Sequence, residues 1–240
     1  MSEKDYSLRE IMGNLLFPPH CLFCGRLIGW EETLCPVCRQ KVSILAPHQR
    51  QNEFDCDAIL WCAPYSGELR AGMEHFKFNG VLAGKAVLGA MLAQALKESG
   101  LISRVDAVTY VPMPQGRERL RGYNQAKLLA EYIAEELGLP LWEELLCRSG
   151  RETLHQATDK KSRRRLASES YHRGAKVCPP GAHILLVDDI ITTGATMAAC
   201  SALLRESGAA FLCGAAPLRT PWETSPDAPQ KAVENPTEKM

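Results

Sequence analysis

Apolar positions along this chain follow two rhythms. The first is helical. In "SLREIMGNLLF" (7–17), Leu8, Ile11, Met12, Leu15 and Leu16 recur at spacings of three and four, Ser7 stands where a cap belongs, and Pro18-Pro19 end the run. The same rhythm predicts helices over 67–80, closed by Asn79-Gly80, over 82–100, and over 122–138, closed by Gly138. The second rhythm is the short unbroken apolar run. "AILWCAPYSG" (58–67) reads as strand and turn, "VDAVTYVPMP" (105–114) as a buried strand broken by Pro112 and Pro114, and "ILLV" (184–187) as a strand covered on both faces. A further helix starts near Thr196, with Met197, Cys200, Leu203 and Leu204 on one face, and a last strand lies within 209–218. Strands alternating with helices predict βαβ units, hence an α/β domain with a parallel sheet flanked by helices. "APHQRQNEFD" (46–55) is polar and reads as a linker. The tail from Pro221 is rich in Pro and charge and is expected to be disordered. The organisation predicted is a helical segment over 1–17, a cysteine module over 18–48, the α/β domain over 49–220 and a tail over 221–240.

Composition excludes some classes. Hydrophobic residues make up 45% and charged residues 23%, ordinary values for a soluble globular chain. No run of eighteen apolar residues is present, so no membrane-spanning helix is expected, and "MSEKDYSLRE" lacks the pattern of a secretion signal. The formal net charge is zero, so contact with nucleic acid would need a local basic patch. One exists: residues 148–176 hold nine basic side chains (Arg148, Arg151, Lys160, Lys161, Arg163, Arg164, Arg165, Arg173, Lys176) against Glu152, Asp159 and Glu169.

Ten cysteines change the picture. Without a signal peptide the compartment is reducing, and a cytoplasmic protein without disulfides is expected. Cys56, Cys62, Cys147, Cys178, Cys200 and Cys213 are scattered and read as small buried hydrophobes. Cys21, Cys24, Cys35 and Cys38 form two CxxC pairs, with Gly25 permitting the tight turn after the first. Four thiolates at this spacing suit a tetrahedral zinc ion. An iron–sulfur cluster and a redox dithiol remain the alternatives. A closed four-thiolate site leaves no open coordination position, so the module reads as structural or partner-binding.

The most concentrated chemistry is "ILLVDDIITTGATM" (184–197). Asp188 and Asp189 end a buried strand, where open α/β sheets bind ligands. Thr192, Thr193, Gly194, Ala195 and Thr196 follow, with Thr196 in place to cap the next helix. Amides gathered at a helix N-terminus hold phosphate. Ionised carboxylates only accept hydrogen bonds, so they suit the hydroxyls of a sugar. The pattern therefore fits a ribose 5-phosphate: acids on the ribose, loop on the phosphate. No Gly-Lys-Thr/Ser is present, which excludes a Walker loop. A second constellation, "YVPMPQGRERLRGYNQA" (110–126), places Pro112, Met113 and Pro114 in a rigid loop, with Arg117, Arg119 and Arg121 following. Guanidinium groups after a parallel strand suit a diphosphate. Gly122 is read as opening the helix after it.

The stretch 184–197 resembles the ribose-phosphate signature of type I phosphoribosyltransferases at every position. Taken with the paired CxxC, "HFKFNG", "VPMP…RGYNQA" and "RETLHQ", the chain over about 15–218 resembles the ComF family of competence-associated proteins. That resemblance implies a type I phosphoribosyltransferase fold with a hood, behind a zinc module. It implies phosphoribosyl pyrophosphate, with Mg²⁺, as ligand: ribose on Asp188 and Asp189, 5-phosphate on 192–196, pyrophosphate facing Pro112–Arg117 and Arg121. "RETLHQ" would be a closing loop turning Arg151, Thr153 and Gln156 inward. Asp188, Asp189 and Arg151 would carry catalysis. His75 and His155 are the histidines available as a base. The chain departs from the family after the basic run, with Leu166-Ala167 and Tyr171 where members carry Asn and then Ala-Phe. DNA uptake enters through the resemblance alone. With it come single-stranded DNA or a DNA-uptake helicase as partners, and the rival reading of a non-catalytic DNA-binding or adaptor protein on the same scaffold.

Overall fold

The structure is a computed structural model that describes residues 19–29, 31–43, 45–78, 81–149 and 169–221. The expected N-terminal helix, the closing loop with Arg151, Thr153 and Gln156, and the tail lie outside them. Among the described residues the helices are α1 (Pro36–Ser43), α2 (Gly67–Phe78), α3 (Val81–Ser99), α4 (Gln115–Arg121), α5 (Gln125–Leu137) and α6 (Ala195–Glu206), with a 3₁₀ turn at Leu101–Arg104. The strands are β1 (His48–Glu53), β2 (Cys56–Pro64), β3 (Ala107–Tyr110), β4 (Leu146–Arg148), β5 (Tyr171–Arg173), β6 (His183–Val187), β7 (Ile190–Ile191) and β8 (Phe211–Arg219).

The main sheet runs β1-β2-β8-β6-β3, with β7 continuing beside β8. Every pairing in it is parallel except β1 with β2. This is the α/β architecture the alternation predicts. β8 is central and all nine of its residues are buried, as a strand covered on both faces requires. It pairs with β6 from Phe211 to Ala215 and with β7 at Leu218 and Arg219. Asp188 and Asp189 occupy the interruption between those two partners. Pro217, which has no amide to offer, stands on β8 at the handover.

One face of the sheet is covered by α2, α3 and α5 together with the cysteine module, through Met73, Phe76, Leu88, Leu92, Leu129, Ile133, Cys21, Phe23 and Cys38. α6 and the β4–β5 ribbon cover the other, through Met197, Cys200, Leu204, Leu146 and Tyr171. The module is thus part of the main core. Phe23 lies on α2 at Gly72, and the Lys41 ammonium donates to Glu68 at 2.8 Å.

Four readings are corrected. The expected linker 46–55 contains β1, an edge strand of wholly polar sequence, HQRQNE. Such an edge resists pairing with other chains and leaves no apolar alternation to read. The arginine loop after Pro114 is the helix α4, and Gly122 closes it (φ 84°) instead of opening the next one. α5 begins at Asn124, whose side chain accepts from the Ala126 and Lys127 amides. Gly194, at φ 75°, is the N-cap of α6 and Thr196 lies inside the helix. Of the scattered cysteines, Cys147 is exposed while the other five are buried.

Candidate functional site

In the cysteine module, Cys21 donates its amide to the Arg26 carbonyl (2.7 Å), Gly25 donates to the Cys21 carbonyl (3.0 Å), and Gly25 takes φ 68°. This knuckle turns Cys24 back beside Cys21. Pro36 opens α1 directly after Cys35, a position where its missing amide costs nothing. The Cys38 amide points at Cys35 Sγ (3.5 Å). All four sulfurs lie within 4.8 Å of one another, and Cys24 and Cys35 are 3.7 Å apart. A tetrahedral ion with Zn–S bonds of about 2.3 Å requires sulfurs about 3.8 Å apart, so the donor set fits zinc. Burial raises the Cys21 thiol, but amide donors from Cys24, Cys35 and Phe23 outweigh it and bring the group down to about 6. Among the described residues no other cluster of metal-binding side chains occurs.

The second site is a cavity of about 460 Å³ at the carboxyl ends of β3 and β6. Of the residues singled out from sequence, Pro112, Met113, Arg117, Arg121, Asp188, Asp189, Thr192 and Thr196 line it together. Pro114 is buried and caps α4, and Arg119 points outward. Thr193, Gly194 and Ala195 form the loop beneath, where the Ala195 amide reaches Thr193 Oγ1 at 3.5 Å. The first amides of α6 have no carbonyl within their own helix, which leaves donors at this end.

Asp188 is buried, and its amide donates to the Ala215 carbonyl (2.9 Å). Its carboxylate accepts the Asp189 amide at 2.8 Å. Burial first, and then the charge of Asp189, push the Asp188 carboxyl well above the usual range. Lys77 Nζ sits 3.9 Å from Asp189 Oδ2 and 3.7 Å from Glu74 Oε1, so α2 supplies a cation to the acidic pair. Glu74 is held below the usual carboxylate range by the Tyr65 hydroxyl, with Lys77 adding to the effect.

The loop is braced from the β1–β2 turn. Phe54, at φ 57°, lies over Gly194 so closely that a Cβ there would meet its ring at 2.0 Å. Arg219, beside β7, donates twice to Glu53 (2.8 and 2.6 Å) and stacks against Phe54 and Trp61. A bulky residue in the left-handed region is strained, and here the strain sets a ring against the one loop position that has no side chain.

Sequence reasoning missed five polar contributors: Glu74, Lys77, Asn124, Gln125 and Tyr171 also line the cavity. So does Arg148, which in the sequence stands out only as part of a basic patch. Its guanidinium lies 4.9 Å from the Tyr171 ring centroid. Lys77 and Gln125 fall within "HFKFNG" and "RGYNQA", so the family motifs held a signal for them. Of the other described cations of 148–176, Arg173 pairs with Glu206 (3.2 Å) and Lys176 with Glu144 (3.7 Å).

A mostly parallel α/β sheet with an acidic, cation-lined cavity at its carboxyl edge, joined to a four-thiolate module, defines the class. Residues 12–49 match the double zinc ribbon domain family, which makes the metal of the module a structural zinc. The chain is similar to DNA utilization protein YhgH of Escherichia coli O157:H7, 27% identical over 201 residues, covering 79% of this chain and 86% of that protein. It is 26% identical to Competence protein F of Haemophilus influenzae, covering 79% and 80% of the two chains. It is 29% identical to Competence protein ComFC of Bacillus subtilis, covering 85% and 76%. The ComF resemblance read from the motifs is thereby borne out across most of the chain. A solved structure, TT1426 from Thermus thermophilus, aligns with 57% of this chain and 83% of its own at 20% identity, with a TM-score of 0.32. No helix among the described residues is long and apolar enough to cross a membrane.

Proposed function

We propose that the cavity binds phosphoribosyl pyrophosphate, or a related ribose 5-phosphate, and that the protein is a phosphoribosyltransferase working in the cytoplasm. The observation that carries this reading is the meeting, in one cavity, of an acidic pair, Asp188 buried and Asp189 partly exposed, with donors on both sides of it. Thr192 and Thr196 follow β7, beside β8 on one flank of β6, and Arg117 and Arg121 follow β3 on the other, and all four line the cavity. A ligand with vicinal hydroxyls between two phosphorylated ends meets each group with its complement. The domain division follows the same reading, with the zinc module over 18–48 and the transferase domain over 49–220.

In such a transfer a nucleophile forms a bond to C1 of the ribose as the bond to pyrophosphate breaks, and the leaving group carries away the electron pair. Positive charge develops on the ring. Asp188 and Asp189 bind the ribose hydroxyls and the Asp189 carboxylate places negative charge beside the ring, while Arg117 and Arg121 receive the charge that accumulates on the pyrophosphate. Arg151, Thr153 and Gln156 are proposed to close over the ligand and exclude water, since hydrolysis competes. The Asp189 carboxylate, only partly buried at the cavity wall, offers hard oxygen donors of the kind Mg²⁺ takes. The ion would neutralise pyrophosphate oxygens while keeping much of its water.

The test is calorimetric titration of phosphoribosyl pyrophosphate into the zinc-loaded chain with Mg²⁺. Saturable binding is expected, and its absence at millimolar ligand defeats the reading. The second reading, a DNA-binding or adaptor protein, draws on the names of the relatives and on Arg163, Arg164 and Arg165. It predicts single-strand binding that weakens steeply with salt and is lost when those three charges are removed. Both readings place the protein in DNA uptake, the role the relatives' names suggest.

A further inference from the structure

Two buried side-chain nitrogens at the cavity, Gln125 Nε2 and Arg148 Nε, make no hydrogen bond among the described residues. Both residues line the cavity. Gln125 is 1% exposed, so water does not substitute freely, and a buried donor without an acceptor is costly. Neither orientation is arbitrary. Gln125 Oε1 accepts from Arg121 at 2.9 Å, which fixes which end of the amide is oxygen and leaves the NH₂ as the open end. The Arg148 guanidinium lies over the Tyr171 ring, its Cζ 4.9 Å from the centroid, which restricts the directions its Nε edge can face.

Their surroundings separate them. Gln125 follows Asn124, whose side chain donates to the Val111 carbonyl (3.1 Å) and so ties the start of α5 to the Pro112–Pro114 loop. With Arg121 on its other side, Gln125 belongs to the arginine end of the cavity. Arg148 and Tyr171 come from the β4–β5 ribbon, which packs on α6, and the Tyr171 hydroxyl meets the Thr196 side chain. Arg148 belongs to the threonine-loop end.

We infer that Gln125 and Arg148 are two further ligand-binding residues, Gln125 donating to the pyrophosphate end of the ligand and Arg148 to its 5-phosphate end. The inference rests on the phosphoribosyl pyrophosphate reading and adds to it a pair of donors outside the 184–197 signature. Ligand oxygens supply the acceptors both side chains lack, so free energy spent in the empty protein returns as affinity. Because Gln125 touches only the group that leaves, it lets the cavity distinguish phosphoribosyl pyrophosphate from ribose 5-phosphate.

The experiment is calorimetric titration of both ligands, with Mg²⁺, into the full zinc-loaded chain and three variants. Gln125→Glu keeps the oxygen that receives Arg121 but turns the open donor into an acceptor. It should melt no lower than the parent and bind phosphoribosyl pyrophosphate at least about tenfold more weakly, with ribose 5-phosphate changed by less than about twofold. Arg148→Met, which retains packing on Tyr171, should weaken both ligands at least about tenfold. Arg148→Lys, keeping the charge without Nε, should weaken both by less, and it decides the matter if Arg148→Met does not fold. Variants that bind both ligands like the parent overturn the inference and leave the functional reading intact. Equal losses of both ligands in Gln125→Glu overturn its assignment to the pyrophosphate end. A parent chain that binds neither ligand ends both.

Discussion

The ring of Phe23 lies so close to Gly72 that a Cβ there would come within 2.2 Å of Phe23 Cδ1. This contact joins the cysteine module to α2. The same helix donates to the Leu22 carbonyl through His75 Nδ1 (3.2 Å) when that nitrogen carries its proton, and two residues on it presents Lys77 to Asp189. The zinc module therefore buttresses the helix that supplies a cation to the acidic pair. Gly72→Ala gains helix propensity but must expel the ring. A net loss of about 1–3 kcal/mol is expected, lowering the melting temperature by several degrees. Thermal melts of the two proteins check it, and an unchanged midpoint would show that the contact is slack.

Zinc removal should act at a distance for the same reason. Metal analysis of protein purified without chelator should give about one zinc per chain. Cys35→Ser should lower the metal content and the melting temperature together. It should also weaken ligand binding, although no cysteine lines the cavity among the described residues. Ligand affinity unaltered in a folded, metal-free protein would contradict the buttress.

Gly194 leaves no room for a side chain. At φ 75°, with the Phe54 ring over it, an alanine there meets both an unfavourable backbone angle and a clash. Gly194→Ala should cost about 1–3 kcal/mol and weaken a phosphate-bearing ligand more than the chain itself. Melting with and without ligand separates the two effects.

The raised carboxyl of Asp188 carries a pH signature. Its folded value lies well above the unfolded value of about 3.9, so the folded state holds the proton more tightly. Its contribution to stability is complete below about pH 4 and is lost as pH rises through the folded value. Asp188→Asn keeps an oxygen for the Asp189 amide and removes the buried charge. Without ligand the variant should melt higher than the parent at neutral pH, and by a smaller margin in acid. A variant that melts lower at every pH would show that the charge is already compensated.

How much was legible in the sequence follows from what each residue depends on. The strand ILLV and the helix after the threonines could be read because their partners are local and their periods simple. The acidic pair and the loop could be read as one site because they are contiguous. Lys77, Arg148 and Tyr171 could not be placed, since they reach the cavity from α2 and from a ribbon whose strands are far apart in the chain. Arg148 reads as one more charge in a basic run until Tyr171 is seen beneath it. α4 was hidden because the prolines before it and the glycine after it suggest a loop, while none of its residues is buried. The β1 edge was hidden because a polar edge strand has no alternation to show.

The central claim is that the acidic pair and the threonine loop hold one ribose 5-phosphate ligand activated by pyrophosphate. It is tested most directly by thermal melting of the parent and of the Asp188→Asn, Asp189→Asn double variant, with and without millimolar phosphoribosyl pyrophosphate and Mg²⁺. A ligand that binds only the native state must raise its melting temperature. A rise is expected in the parent and none in the folded double variant. No rise in the parent, or an equal rise in both, would contradict it.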